Sequence, residues 1–342
     1  MSDSSDEGPR AVGRVLRSPR WWLSGLLLVI AAYAVTLVAV GIGEAQSTFS
    51  RIAPLPLAAA AALQVAVVVL WGRVYAASAR AVGGSLSVRA SLAVSMPAFT
   101  LSHTLPGGGW AGNALAVRRL VVLGMSGPGA TAAVALGSTI SLTTIAALGA
   151  VGIVTAFVAG DLPALSLLLA VPALVLLLAI VAGIVAILRS PPTGDRIVAW
   201  VTRRHDALAV RVDDWRASLR SVTEDPPDRG QLGAIAAWAL LKWLADIASL
   251  ALVFLALGAT PRLSALLVGF GVTQLATAIP VTPGGLGFVE GGMVGAFVTL
   301  GYGARLSTSI VLVYRVIATW LPVLAGVPLL LRSPAAGARG RS

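Results

Sequence analysis

Uncharged apolar runs recur along this chain of 342 residues, and two of them are broken near their middles by clusters of Pro and Gly. About 20 consecutive apolar residues are needed for a helix to cross the ~30 Å hydrocarbon core of a bilayer. Six runs meet that requirement: Trp21 to Gly43, Leu55 to Tyr75, Gly129 to Gly160, Ala164 to Leu188, Gln231 to Leu257 and Leu306 to Leu331. A backbone in lipid must satisfy its own polar groups, so the spans are expected to be helices. The fold class expected is an all-α polytopic membrane protein with six full spans and two interrupted segments. Only 11% of residues are charged and the mean hydropathy is +0.89, against about 25% charged residues in soluble domains. This excludes a soluble enzyme, and it excludes a nucleic-acid partner despite a net charge of +11.

The two interrupted segments are the more informative. Between Arg89 and Arg118, the arms Ala90 to Leu105 and Trp110 to Val117 flank Pro106-Gly107-Gly108-Gly109. Between Arg262 and Arg305, the arms Ser264 to Ile279 and Phe288 to Leu300 flank Pro280-Val281-Thr282-Pro283-Gly284-Gly285-Leu286-Gly287. An arm of 16 residues is only about 24 Å of helix, too short for a comfortable crossing. Each segment is therefore expected to be a re-entrant helical hairpin; if the arms do cross, the count becomes eight spans with the same parity. Pro stops a helix by removing a donor, and Gly reaches backbone angles closed to other residues. The peptide groups so released cannot face lipid and must be buried in protein or line a wet cavity.

The segments also resemble each other. Gly107 and Gly124 are separated by 17 residues, as are Gly284 and Gly301, and Thr131 then matches Thr308. An internal repeat is expected, with repeat one at about 55–160, an amphipathic cytoplasmic loop at 189–230 and repeat two at about 231–331. Basic residues give the orientation. With the N-terminus inside, 20 Arg fall in cytoplasmic stretches and three, Arg51, Arg262 and Arg305, fall outside. That asymmetry follows the positive-inside rule. It makes 1–20 and 332–342 cytoplasmic tails around one transmembrane domain, 21–331, and marks Trp21 to Gly43 as an uncleaved span, too long for a signal-peptide core. The first hairpin then enters from the cytoplasm and the second from outside, the inverted-repeat plan of secondary transporters. Within the loop, Ile197, Val201, Leu208, Val212, Trp215, Leu219 and Val222 recur at helical spacing among five Arg. That pattern suits an interfacial helix resting on anionic headgroups.

Charges inside apolar runs cost several kcal/mol unless paired or hydrated. Lys242 and Asp246 stand four apart on one helix, within pairing reach; they read either as a self-neutralising pair or as a site of proton coupling. Glu290 and Arg315 have no opposite charge nearby in sequence, so tertiary pairing of Arg315 with Glu290 or Asp246 is expected. A guanidinium at that depth also suits a lipid phosphate. His103, with Asn113, Gln274, Thr277 and Thr282, is a candidate to line a polar cavity, against the plainer role of a hydrogen-bonded structural His. Arg118 and Arg119 end the first hairpin where headgroups lie. The absence of Cys and the presence of only two His leave no metal site of the usual kind. Neither Gly-rich tip has the Lys-Ser/Thr of a phosphate loop, no cofactor is implied, and no catalytic constellation recommends an enzyme.

Pro280 to Glu290 (PVTPGGLGFVE), then Leu300-Gly301, Val313-Tyr314-Arg315 and Trp320-Leu321-Pro322, resemble the transmembrane region of lysylphosphatidylglycerol synthases, also called flippase-like or UPF0104. Trp238 with Lys242-Trp243-Leu244-Ala245-Asp246, and Leu105-Pro106-Gly107-Gly108-Gly109, are similar to other segments of that family. The resemblance runs from about Trp21 to Leu331. It implies a plasma-membrane protein that moves lipids between leaflets, and no lysyl transfer, since the synthases carry that activity in an added soluble domain. Where family members often have Gly-Glu, this chain has Gly112-Asn113, a departure that bears on any anionic role there and on the lipid handled.

The expected function is accordingly translocation or binding of a phospholipid or glycolipid headgroup in a polar cleft at the midplane. Gly107, Gly108, Gly109, Gly284, Gly285 and Gly287 would shape the cleft; His103, Arg118, Glu290 and Arg315 would meet the headgroup. Partners are membrane lipids, whether anionic or aminoacylated phospholipid or a polyprenyl-linked glycan. The alternative is a non-transporting subunit that presents a lipid to a separate cytoplasmic enzyme; an intramembrane lipid-modifying enzyme is a third reading.

Overall fold

Three of the described helices start where a side chain stands in for the missing intrahelical acceptor. The computed structural model describes residues 52–105, 108–161, 175, 227–277 and 282–331. The expected spans 21–43 and 164–188 and the amphipathic segment 195–222 lie outside the described residues, save Val175. Pro54, which needs no amide acceptor, opens α1 (Pro54–Ala81). The Ser87 hydroxyl accepts from Ala90 N–H to open α2 (Val88–Thr104), which is followed by α3 (Gly108–Val122). Ser126 caps α4 (Gly127–Val158) through Gly129 N–H. Asp228 and Gln231 cap each other's backbone at 2.8 and 3.0 Å at the head of α5 (Arg229–Ala256), a reciprocal capping box. Then come α6 (Leu263–Thr277), a short 3-10 turn at Pro283–Gly285, α7 (Phe288–Thr299) and α8 (Ala304–Leu331). No strand occurs among the described residues.

Four of these helices, α1, α4, α5 and α8, have 28, 32, 28 and 28 residues and are apolar enough to cross a membrane. Three of them, α1, α5 and α8, overrun the sequence expectation at a charged end. The span placed at Leu55 to Tyr75 continues through Arg80 to Ala81, and the arm placed at Trp110 to Val117 is in fact Gly108–Val122. An Arg need not end a helix, because its long stem can hold the charge away from the apolar face. Arg73 sits inside α1 with its guanidinium 5.3 Å from the Trp238 ring of α5.

Side-chain contacts fix the register. α1 and α5 run antiparallel, with Ala53 N–H donating to Ala256 O, Ser249 Oγ to Ala60 O, Gln64 to Asp246, and Arg73 over Trp238. α2 runs antiparallel to α8: Thr100 Oγ1 donates to Val323 O at 3.3 Å, and a Cβ on Gly326 would overlap the Thr100 hydroxyl and stand 3.1 Å from Met96 O. α4 runs antiparallel to α6, where Gly149 and Gly271 bring the backbones into contact and Gly152 faces Leu267. Small residues that let helices touch are the usual means of close packing in lipid. Continuing each register one residue at a time, Thr104 falls level with Ala318–Thr319 and Thr277 level with Thr143. Both hairpin arms therefore end halfway along a full-length helix.

The hairpins approach from opposite ends of the bundle. α2 and α3 start and finish at the end where α1 stops and α4 starts; α6 and α7 start and finish at the other end, where Asp161 at the foot of α4 meets Arg262 and Ser264 at 2.5 Å each. Their closing turns are also alike. Gly124 and Gly301 sit at φ +97° and +89°, a left-handed cap conformation that suits Gly. Met125 N–H donates to Leu120 O and Gly124 N–H to Val121 O; 177 residues later Tyr302 N–H donates to Phe297 O and Gly301 N–H to Val298 O. The next helices start at Gly127 and Ala304, again 177 apart, and Thr131 and Thr308 each bond the carbonyl four residues back. The core holding the second half together combines aliphatic side chains with an aromatic cluster, in which Phe254 stands edge-on to Phe297 and Tyr302 at 5.0 and 5.1 Å.

Candidate functional site

The second tip is built around backbone that turns back on itself. Gly284, Gly285 and Gly287 have φ of +58°, +71° and +83°, angles that side chains disfavour, and Thr282 Oγ1 closes the loop on Leu286 O at 2.8 Å. Gly284 is pressed against the end of α2: a Cβ there would stand 2.7 Å from His103 O and 3.5 Å from His103 Cα. The tips of the two hairpins thus touch. Pro106 and Gly107 lie outside the described residues, as do 278–281.

Arg315 organises this junction from the middle of α8. Nε donates to Glu290 Oε1 at 2.8 Å, Nη2 to Gly284 O at 2.8 Å and Nη1 to Thr319 Oγ1 at 3.1 Å. The residue is 3% exposed, and its guanidinium carbon stands 5.8 Å from the Trp320 ring. Glu290 Oε2 in turn accepts from Gly287 N–H at 2.8 Å, so one carboxylate caps α7 and neutralises the buried cation. The helix widens into a π turn at Val316–Trp320 immediately after Arg315, a distortion that is frequent at functional sites. Between the two partners expected for Arg315, the structure selects Glu290.

Asp246 is occupied elsewhere. Its Oδ1 accepts from Gln64 Nε2 and from Tyr314 OH, both at 2.7 Å, and Oδ2 lies 3.8 Å from Lys242 Nζ. Tyr314 and Arg315 are consecutive, so this cluster adjoins the tip junction. Gln64 and Tyr314 were not singled out from the sequence. A lone amide in Leu57 to Leu70 was the available signal for Gln64, since a buried amide needs a partner.

The remaining sequence candidates divide. His103 reaches the junction through its backbone, while its ring stacks on Phe99 at 4.0 Å and Nδ1 lies 2.9 Å from Phe99 O; this is the plainer of its two expected roles. Gly108 packs against Leu101 and Ser102 carbonyls, and Gly112 against Ser102 and Ala98, so both hold α3 against α2. Gly109 is exposed with nothing near its missing Cβ, and Trp110 beside it is 84% exposed. Arg118 is exposed. Its neighbour Arg119 instead turns inward and donates to Ala93 O and, at 2.8 Å, to Leu329 O, tying α3 to α2 and α8. Gln274 is half-buried and Asn113 exposed.

With this geometry in hand, comparison with known proteins is direct. Residues 8–326 match the family described as "Lysylphosphatidylglycerol synthase TM region". Among curated proteins, a UPF0104 membrane protein of Methanothermobacter thermautotrophicus is 38% identical over 95 residues, 28% of this chain and 28% of its own length. A second so named from that organism is 27% identical over 133 residues, 39% of this chain and 34% of the relative. These two matches thus span about a third or less of those relatives. A third is 24% identical over 320 residues, covering 88% of this chain and 92% of the relative. No solved structure matches the chain.

Proposed function

The chain belongs to the family of the lysylphosphatidylglycerol synthase transmembrane region, and on that footing we propose that it carries a lipid headgroup between leaflets through a polar cleft where its two hairpin tips meet. The observation that carries this reading is the contact of Gly284 with His103, made by hairpins that start at opposite ends and stop halfway. If α4 and α8 cross a bilayer, both tips lie near its midplane, where loosened backbone is tolerated only inside protein or beside water. Re-entrant hairpins of opposite entry, with cap hydrogen bonds repeating at 177 residues, support an inverted duplication with the binding site at the repeat interface.

Within this reading Gly284, Gly285 and Gly287, with Gly109 at the head of α3, let a headgroup approach backbone dipoles. Arg315 and Glu290 fix the second tip, and three of the guanidinium's donors are already engaged, so Arg315 acts mainly by positioning. Arg118 lies at the mouth of the first hairpin, on the face assigned to the cytoplasm, where an exposed cation attracts anionic headgroups. Lys242 and Arg315 balance Asp246 and Glu290, giving a polar but near-neutral interior that suits a headgroup passing in either direction. The acyl chains stay in the bilayer, no bond of the lipid is made or broken, both termini are cytoplasmic and the membrane is the plasma membrane.

The test is leaflet exchange in vesicles holding the purified protein. Fluorescent acyl-labelled phosphatidylglycerol, phosphatidylethanolamine, phosphatidylcholine and a polyprenyl phosphate are each offered, and dithionite bleaches the outer leaflet. Bleaching beyond the outer-leaflet fraction for at least one lipid is expected, with loss on Arg315→Met. Folded protein that exchanges none of the four removes the transport reading; binding without exchange would favour a subunit that presents lipid to a cytoplasmic enzyme.

A further inference from the structure

The cluster beside the tips contains a cation held less firmly than its surroundings require. Asp246 from α5 is buried and receives two short hydrogen bonds on one oxygen, from Gln64 of α1 and Tyr314 of α8, both at 2.7 Å. Both donors converge on Oδ1 and hold the Asp246 carboxyl in place as an acceptor. Lys242 is placed differently. Its Nζ lies 3.8 Å from Asp246 Oδ2, beyond the 2.7–3.2 Å range of N–H···O bonds, and 2.9 Å from the centroid of the Trp243 ring. The Trp243 indole is itself anchored to Ser141 of α4 at 3.0 Å. From the other packed elements, α6 presents the Phe270 ring to Trp243 and Tyr314, α8 presents Tyr314 and the Glu290-paired Arg315, and α2 ends in His103 with Nδ1 engaged at Phe99 O. One carboxylate oxygen is thus engaged twice, while the ammonium partner of the other leans on a ring face.

We propose that Lys242 is a proton-exchange site, with Asp246 as its fixed counter-charge, that couples lipid movement to a proton gradient; this rests on the cleft reading above. The ammonium gives one proton to water on one side of the membrane, leaving a neutral amine, and regains one from water on the other side. Gln64 and Tyr314 keep their protons and Asp246 remains the counter-charge throughout, so the pair alternates between no net charge and one negative charge. Arg315 is next in sequence to Tyr314, and it pins the second tip through Gly284 O and Glu290. A negative cluster draws on Tyr314 and Arg315, and its neutralisation releases them. That gives the proton a mechanical route to the tip.

The experiment uses the vesicles described above, with whichever of the four labelled lipids exchanges fastest, a pH step across the membrane and the potential clamped by potassium and valinomycin. One proton per lipid predicts a leaflet ratio of about tenfold per pH unit at equilibrium, since a tenfold ratio corresponds to about 1.4 kcal/mol. Lys242→Met, never charged, and Lys242→Arg, always charged, are both expected to abolish the asymmetry. Wild-type exchange that ignores the gradient, or asymmetry that survives in either variant, overturns the coupling and leaves the cleft reading standing; absence of all exchange removes both. Lys242 is the only lysine in the chain, so lysine labelled with 15N at Nζ gives one signal. Conversion of that signal from ammonium to amine within the physiological pH range is expected, and an ammonium signal unchanged across it overturns the proposal without reference to any lipid.

Discussion

Replacing Arg315 and Glu290 by Met, singly and together, examines the tip junction most sharply. Removing Arg315 leaves the Glu290 carboxylate with only Gly287 N–H and strips Gly284 O of its donor. Removing Glu290 leaves a guanidinium of 3% exposure with two neutral acceptors. Breaking a buried pair from one side costs about 3–5 kcal/mol, chiefly because an uncompensated charge stays behind. The double variant buries no charge, and its main loss is the donor to Gly284 O, about 1–3 kcal/mol. Independent sites would sum to about 6–10 kcal/mol. Reversible unfolding by SDS in mixed micelles measures all three variants, and the double is expected to be no less stable than either single. Additivity within about 0.5 kcal/mol would refute the claim that these side chains act as a pair.

Three further outcomes follow from packing and exposure. Gly326→Ala places a methyl on the Thr100 hydroxyl but 3.1 Å from Met96 O; it is expected to lower stability by about 1–3 kcal/mol, and Thr100→Ala is expected to restore most of the loss in the same SDS titration. Gly112→Ala is expected to cost as much yet resist rescue by Ser102→Ala, because Ala98 O remains 2.5 Å from the new methyl. Gly109→Ala, in open space at the start of α3, is expected to be neutral or to stabilise by up to about 1 kcal/mol; a clear loss of stability there would show that the first tip packs against something this account omits.

Much of the architecture was legible because lipid imposes few choices. Apolar length located the four long helices α1, α4, α5 and α8, and Pro and Gly inside apolar runs gave the tips. The spacing of Gly107 and Gly124 against Gly284 and Gly301 pointed to turns whose described hydrogen bonds coincide. The isolated charges at Glu290 and Arg315 announced a tertiary pair, since neither has an opposite charge nearby in sequence. What sequence left open was phase. Arg118 and Arg119 differ by one step of about 100° around a helix, which sends one outward and the other onto Ala93 O and Leu329 O. Arg315 had two possible acids; it pairs with Glu290, while Asp246 accepts from Gln64 and Tyr314. An amide on α1 meets a carboxylate 182 residues away, and no local pattern encodes that meeting.

The central claim is that the tips meet beside water rather than lipid, and thiol labelling reads this directly because the chain has no native Cys. Trp110→Cys and Phe288→Cys replace the exposed residues that follow each tip, 84% and 45% exposed, and Val65→Cys, 68% exposed beside Gln64 in the middle of α1, is the comparison position expected to face lipid. Thiols react as thiolates, which form only in water. A charged, membrane-impermeant thiol reagent applied to vesicles is expected to label the two tip positions and spare Val65→Cys. Equal inertness at all three positions would place the tips in oil and contradict the account.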